Sequence, residues 1–82
     1  MTYDYIAKVF IEELTRIAPD IDPASVGPDD HLQQDLEIDS MDFLNLVAAL
    51  HKRLGVDIPE ADYPQIATLS LATAYLSGRV GG

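Results

Sequence analysis

The fold of this chain is decided by residues 39–55, which read DSMDFLNLVAALHKRLG. At about 100° per residue, five apolar side chains of this stretch fall on one side of a helix. They are Phe43, Leu46, Val47, Leu50 and Leu54. Asp39 is a typical N-cap residue, and Gly55 supplies the left-handed conformation with which many helices end. The stretch therefore predicts an amphipathic helix that opens at Asp39, runs to Leu54 and packs on a core.

A second apolar stripe lies on the same helix. Met41, Leu44 and Ala48 recur at i, i+3 and i+7, about 130° from the core-facing side. One small core cannot readily bury both stripes, so we expect the second to be exposed as a surface for a protein partner. The alternative is that the loop of residues 18–38 covers it.

Helical periodicity also appears on both sides of this stretch. Apolar residues recur at helical spacing over Tyr3–Ile17, and Pro19 ends that segment. Its charged residues Glu12, Glu13 and Arg16 are expected to face water. The segment predicts a first helix with one buried side.

The rest of the chain adds one long loop and two shorter helical segments. Residues 18–38 form a loop laid over the core by five apolar anchors, namely Ile21, Val26, Leu32, Leu36 and Ile38. Pro59–Tyr63 predicts one short helical turn with proline first, and Thr68 caps a last helix that ends at Gly78. With no strand periodicity, the chain is predicted to be all-α. We expect a small four-helix bundle of three main helices and one short one, with the long loop between the first and second.

Length and composition bound the function. The chain has 82 residues, which is one small domain (1–82), with about 3–77 structured and 78–82 as a tail. Fourteen acids against five bases give a net charge of −9, which disfavours binding to nucleic acid or anionic membranes and favours basic partners. Without cysteine there is no disulfide, thiolate metal site or cysteine nucleophile. With no apolar stretch near membrane length and no secretory signal, a monomeric cytoplasmic protein is expected.

Acidic residues concentrate around the start of the second helix. Asp20 to Asp42 contains eight acids and no lysine or arginine, whereas Phe43 to Val56 contains no acid. One interpretation is a solvated loop whose acids complement the helix dipole. The density of charge favours the other interpretation, a docking surface in which Asp35, Glu37 and Asp42 join the apolar stripe.

Ser40 stands in the first turn of that helix. Free N–H groups and the positive end of the dipole make this a suitable place for a phosphate ester, although a serine at a helix start is by itself common. His51 is roughly 16 Å further along the same helix, which excludes a pair of Ser40 with His51. The sequence does not decide whether the loop brings His31 to Ser40. A calcium loop starting at Asp20 fails, because its required ligands and glycine are missing.

Three stretches resemble the acyl carrier protein family. DLEIDSMDFL at residues 35–44 resembles the family's attachment motif, in which Asp-Ser followed by Leu or Met opens the second helix. LVAAL at 46–50 with LGVDIPE at 54–60 is similar to its second helix and Ile-Pro connection. IATL at 66–69 is similar to the start of its fourth helix. The resemblance covers nearly the whole chain.

The resemblance implies a carrier and not an enzyme. Ser40 would bear a covalent 4′-phosphopantetheine arm, added from coenzyme A by a phosphopantetheinyl transferase that recognises Asp39, and no metal would be required. The thiol of the arm would carry acyl groups as thioesters between synthases and acyltransferases with basic docking patches. Fatty-acid, lipid or specialised-metabolite biosynthesis, or a peptidyl or aminoacyl carrier role, would fit this implication.

Two features depart from the family pattern. Glu37 stands where many carriers have glycine, so the turn into the second helix is expected to differ, because only glycine adopts positive φ cheaply. The second helix offers Asn45, His51, Lys52 and Arg53 after Asp42, where fatty-acid-synthesis carriers are acidic. This difference favours a specialised pathway.

Two other classes compete with the carrier interpretation. One is an acidic helical module that binds a protein partner, with Ser40 an ordinary helix-start residue. The other interprets Gly81 and Gly82 as the tail of a ubiquitin-like or sulfur-carrier protein, which requires strands that the sequence does not predict.

Overall fold

Three α-helices and two short 3₁₀ helices make up the fold of residues 3–79, the part of the chain that the computed structural model describes. The α-helices are α1 (Tyr3–Ile17), α2 (Ser40–Leu54) and α3 (Leu69–Ser77). The 3₁₀ helices are Pro23–Ser25 and Glu60–Ile66. These residues contain no strand, so the predicted all-α bundle is confirmed. Residues 80–82 of the predicted tail, including Gly81 and Gly82, lie outside the described residues.

Local capping fixes the ends of the helices where the sequence predicts them. The Asp39 carboxylate accepts a hydrogen bond from the Asp42 backbone N–H at 2.8 Å and begins α2. Gly55 ends it with φ +67° and donates its N–H to the His51 carbonyl at 2.8 Å. The Thr68 hydroxyl accepts from the Leu71 N–H at 3.1 Å and begins α3.

The core lies where α1 packs against both α2 and α3. The five predicted core residues of α2 are all buried, as are the apolar residues Ile6, Val9, Phe10 and Leu14 of α1 and Ala72, Tyr75 and Leu76 of α3. Within residues 3–79, no helix has the length and hydropathy needed to cross a bilayer.

The long loop is attached to the core and to the start of α3. Leu32 and Ile38 are buried, while the other predicted anchors are partly buried. The Leu32 N–H donates to the Ala67 carbonyl at 2.9 Å, and the Ser70 N–H donates to the Pro28 carbonyl at 2.9 Å. These bonds hold the loop beside α3, and from there the loop leads to the start of α2.

Glu13 corrects one expectation from the sequence. It was expected to face water, but only 3% of it is exposed. Its carboxylate accepts a hydrogen bond from Arg53 of α2 at 2.9 Å and lies 3.4 Å from Arg16. Glu12 also pairs with Arg53, at 3.0 Å, and the two carboxylates raise the pKa of Arg53. Periodicity within α1 could not predict this, because the charge that makes burial possible comes from another helix.

Both 3₁₀ helices also differ from the prediction. The segment predicted as one turn over Pro59–Tyr63 continues to Ile66, and Pro59 precedes the helix as its cap residue. Ile66 is fully buried, so packing extends the segment beyond its local turn signal. The first 3₁₀ helix, Pro23–Ser25, lies inside the predicted loop and is capped by Asp22, which accepts the Ala24 N–H at 3.0 Å.

Candidate functional site

Ser40 is the first residue of α2, and its side chain is exposed. The preceding Asp39 has extended backbone angles, and its carboxylate is occupied by the Asp42 N–H. First-turn N–H groups of a helix have no intrahelical acceptor and carry the positive end of the dipole. The Ser40 hydroxyl is therefore accessible in a place that favours negative charge, which fits a phosphate ester on its oxygen.

Glu37 brings the chain into this helix through a left-handed turn. Its φ is +59°, a conformation that glycine adopts more easily than other residues. The next residue, Ile38, is buried and donates its N–H to the Leu32 carbonyl at 2.9 Å. Glu37 thus adopts a left-handed angle although it is not glycine. That this turn differs from the turn of other carriers stays a prediction. The burial of Ile38 holds Glu37 in the unfavourable conformation.

The acids near Ser40 remain on the surface. Asp35, Glu37 and Asp39 are exposed, and Asp42 is half-buried. The Asp35 carboxylate accepts the His31 backbone N–H at 2.8 Å. No lysine or arginine forms a salt bridge with these four carboxylates within residues 3–79. Their charge is thus available to a basic partner.

The second stripe of α2 is exposed, as the sequence predicts. Met41 is 70% and Leu44 46% exposed, and Ala48 is exposed as well. The loop of residues 18–38 does not cover the stripe, since it packs beside α3. Whether these three residues bind a partner stays a prediction.

A cavity of about 550 Å³ opens beside Ser40, and sequence reasoning missed it. Its walls come from the long loop, α2, the second 3₁₀ helix and α3. They include His31, Leu32, Ser40, Phe43, Leu44, Tyr63 and Leu71. A second cavity of about 570 Å³ shares Leu44 and Tyr63 with it. No local pattern predicts either cavity, because residues from separate segments enclose each of them.

Among residues 3–79, neither histidine forms a hydrogen bond with Ser40. His51 lies near the far end of α2, where its Nδ1 is 2.8 Å from the Val56 carbonyl and 3.4 Å from Asp57. The Nδ1 of His31 accepts the N–H groups of Gln33 and Gln34, both at 3.3 Å. Residues 3–79 also contain no group of three His, Cys, Asp or Glu side chains that could hold a metal ion.

Comparison with protein families identifies the family of this chain. A family model described as "Phosphopantetheine attachment site" matches residues 4–76. The chain belongs to the acyl carrier protein family. Acyl carrier proteins are carriers and not enzymes, they hold a covalently attached 4′-phosphopantetheine, and they interact with a phosphopantetheinyl transferase and acyl-handling enzymes.

Curated acyl carrier proteins are similar over most of the chain. The acyl carrier protein of Rubrobacter xylanophilus is 32% identical over 66 residues, 80% of this chain and 82% of that protein. That of Helicobacter hepaticus is 29% identical over 75 residues, 92% of each chain. The acyl carrier protein AcpXL of Rhizobium etli is 38% identical over 64 residues, which cover 78% of this chain and 64% of that longer protein.

Proposed function

We propose that Ser40 carries the 4′-phosphopantetheine arm of this acyl carrier protein. The observation that carries the proposal is the exposed Ser40 hydroxyl in the first turn of α2, directly after the Asp39 cap. In the loading step, the Ser40 oxygen bonds to the phosphorus that bears the pantetheine group of coenzyme A. The pyrophosphate bond breaks, 3′,5′-adenosine bisphosphate leaves, and the serine proton passes to a base of the transferase. Ser40 itself only has to be accessible, because the transferase supplies the base.

The acidic and apolar residues around Ser40 form the proposed docking surface. The carboxylates are Asp35, Glu37 and Asp42, and the apolar contacts come from Met41, Leu44 and Ala48. Asp39 caps the start of the helix and is recognised by the transferase. Charges of one sign around the attachment residue steer a basic enzyme to it, and the exposed Leu44 provides an apolar contact.

An acyl cargo fits this chain better than a peptidyl or aminoacyl cargo. The cavity beside Ser40 has mainly apolar walls, among them Leu32, Phe43 and Leu71. An aliphatic chain that enters it leaves water, which stabilises the loaded carrier by about 0.8 kcal/mol per buried CH₂ group. A polar aminoacyl group would gain little there.

We further propose that the carrier serves a specialised lipid or metabolite pathway in the cytoplasm, as a monomer. After Asp42, α2 carries no acid, and its last turn contains His51, Lys52 and Arg53. Arg53 is engaged by Glu12 and Glu13, which leaves the exposed Lys52 free of a salt bridge among the described residues. An enzyme that binds a uniformly acidic second helix would face the positive charge of Lys52 on this one.

Intact mass spectrometry tests the attachment residue. We expect incubation with coenzyme A, Mg²⁺ and a broad-specificity phosphopantetheinyl transferase to add one arm to the wild type and to Ser70→Ala, which removes another exposed helical serine. Ser40→Ala should gain no mass and should keep its circular dichroism spectrum, because the Ser40 hydroxyl caps nothing. Addition to Ser40→Ala, or none to the wild type with an active transferase, would refute the assignment and favour the non-carrier interaction module.

A further inference from the structure

The sequence around the start of α2 offers no lysine or arginine to pair with a phosphodiester. Residues 20–42 contain eight acids and no lysine or arginine. An arm on Ser40 places the negative charge of its phosphodiester among these acids, which repel it. Hydrogen-bond donors close to the phosphodiester stabilise that charge. His31 is the single side chain of residues 20–42 that can carry a positive charge, and it lines the same cavity as Ser40.

The hydrogen bonds of His31 indicate which of its ring nitrogens holds the proton when the ring is neutral. Its Nδ1 accepts the backbone N–H groups of Gln33 and Gln34, both at 3.3 Å. A ring nitrogen can accept an N–H group only when it carries no proton itself. The proton of the neutral ring is therefore assigned to Nε2. His31 thus caps the turn that follows it with one nitrogen and keeps a donor on the other.

We propose that the Nε2–H of His31 donates a hydrogen bond to the phosphodiester that joins the arm to Ser40. This inference rests on the proposed attachment at Ser40. His31 and Ser40 come from different segments, the long loop and the first turn of α2, and both line one cavity of about 550 Å³. His31 is half-buried, and the turn it caps limits the movement of its ring. The bond holds the first part of the arm at the mouth of the cavity.

Glu60 is the competing acceptor, because it also lines this cavity. It is exposed and therefore remains well solvated without His31. The phosphodiester is attached to a cavity residue and cannot diffuse away. A ring that already bonds to Glu60 would not respond to loading, which makes the two acceptors distinguishable.

Nuclear magnetic resonance on the apo and loaded full chain tests the bond directly. Long-range ¹H–¹⁵N spectra report the ring nitrogens of both histidines, and His51, which lines the second cavity and not the one beside Ser40, is the internal control. We expect loading to shift the Nε2 signal of His31 by more than its linewidth and to leave that of His51 unchanged. An unshifted His31 signal in a chain that has gained the mass of one arm would overturn this inference while leaving the attachment at Ser40 intact. A chain that gains no mass would overturn both.

An isosteric pair of variants separates the donor from the turn cap. His31→Asn keeps an acceptor for the turn and an N–H donor, whereas His31→Asp keeps the acceptor and loses the donor. We expect the ³¹P signal of loaded His31→Asn to stay closer to the wild type than that of His31→Asp. Gln34→Glu adds the same charge next to the same turn, and its ³¹P signal should match the wild type. Equal ³¹P signals for His31→Asp and the wild type, or equal shifts in His31→Asp and Gln34→Glu, would overturn the inference.

Discussion

Replacing Glu37 by glycine should stabilise the fold. Glu37 has φ +59° and is the one non-glycine residue with positive φ among residues 3–79. The left-handed conformation costs an L side chain about 1–2 kcal/mol, while glycine gives back about 0.5–1 kcal/mol through its larger loss of backbone entropy. Taking the middle of each range, the net gain in free energy of unfolding is about 0.75 kcal/mol, which corresponds to a rise in Tm of about 3–6 °C for a domain of this size.

The charge of Glu37 has to be separated from its backbone conformation. Removing one of eight clustered acids relieves repulsion, so some stabilisation would follow from any neutral residue. Glu37→Ala removes the charge but keeps a Cβ in the left-handed conformation. The difference in Tm between Glu37→Gly and Glu37→Ala therefore isolates the backbone contribution.

Gly55 provides the reverse control. Its φ is +67°, and a Cβ added there would meet no atom within 4 Å, so Gly55→Ala perturbs the backbone without a steric clash. We expect Gly55→Ala to lower the free energy of unfolding by about 1 kcal/mol. Thermal and urea melts followed by circular dichroism at one pH and salt concentration give all three values. Equal melting of Glu37→Gly and Glu37→Ala, together with a destabilised Gly55→Ala, would refute the claim that Glu37 is strained.

Three further predictions concern the exposed stripe, a buried phenol and the net charge. Leu44→Ala should weaken binding to the transferase by about 1–2 kcal/mol with little change in Tm, whereas Leu50→Ala should cost about 2–5 kcal/mol of folding; comparable losses of stability would show that Leu44 belongs to the core. Burial and the 2.7 Å hydrogen bond to Asp62 raise the pKa of Tyr75 above its ordinary 10.0. Its contribution to stability should thus be complete below pH 10 and lost as the pH rises through the folded-state pKa. In Tm measurements at increasing pH, Tyr75→Phe should show a smaller fall in Tm at alkaline pH than the wild type. An equal fall in both would show that other groups cause it. Added NaCl, and more so millimolar Mg²⁺, should raise Tm by screening the net charge of −9, and a flat salt series would mean that the fold already compensates its acids.

Features that depend on local chemistry could be predicted from the sequence. The three main helices, the Asp39 and Thr68 caps and the left-handed Gly55 all occur where the sequence places them. The core residues of α2 and its exposed stripe also follow from helical periodicity alone. Each depends on interactions within one or two turns of the chain, which a sequence pattern contains directly.

Features that depend on distant residues could not be predicted. Glu13 is buried because Arg53 of another helix neutralises it, and no spacing within α1 reports that partner. The cavity beside Ser40 forms only where four segments meet. The proton on Nε2 of His31 depends on the turn that its Nδ1 caps.

The sequence by itself determined the helices, the acidic surroundings and the family motif around Ser40, because each is encoded within a short stretch of neighbouring residues. The tertiary structure decided which charges are buried, how Glu37 is held in a left-handed turn, and which side chains share a cavity with Ser40. Those outcomes are set by packing between segments far apart in the chain. The free energy of burying Ile38 and Leu32 outweighs the local preference of Glu37, and only the folded chain brings those terms together.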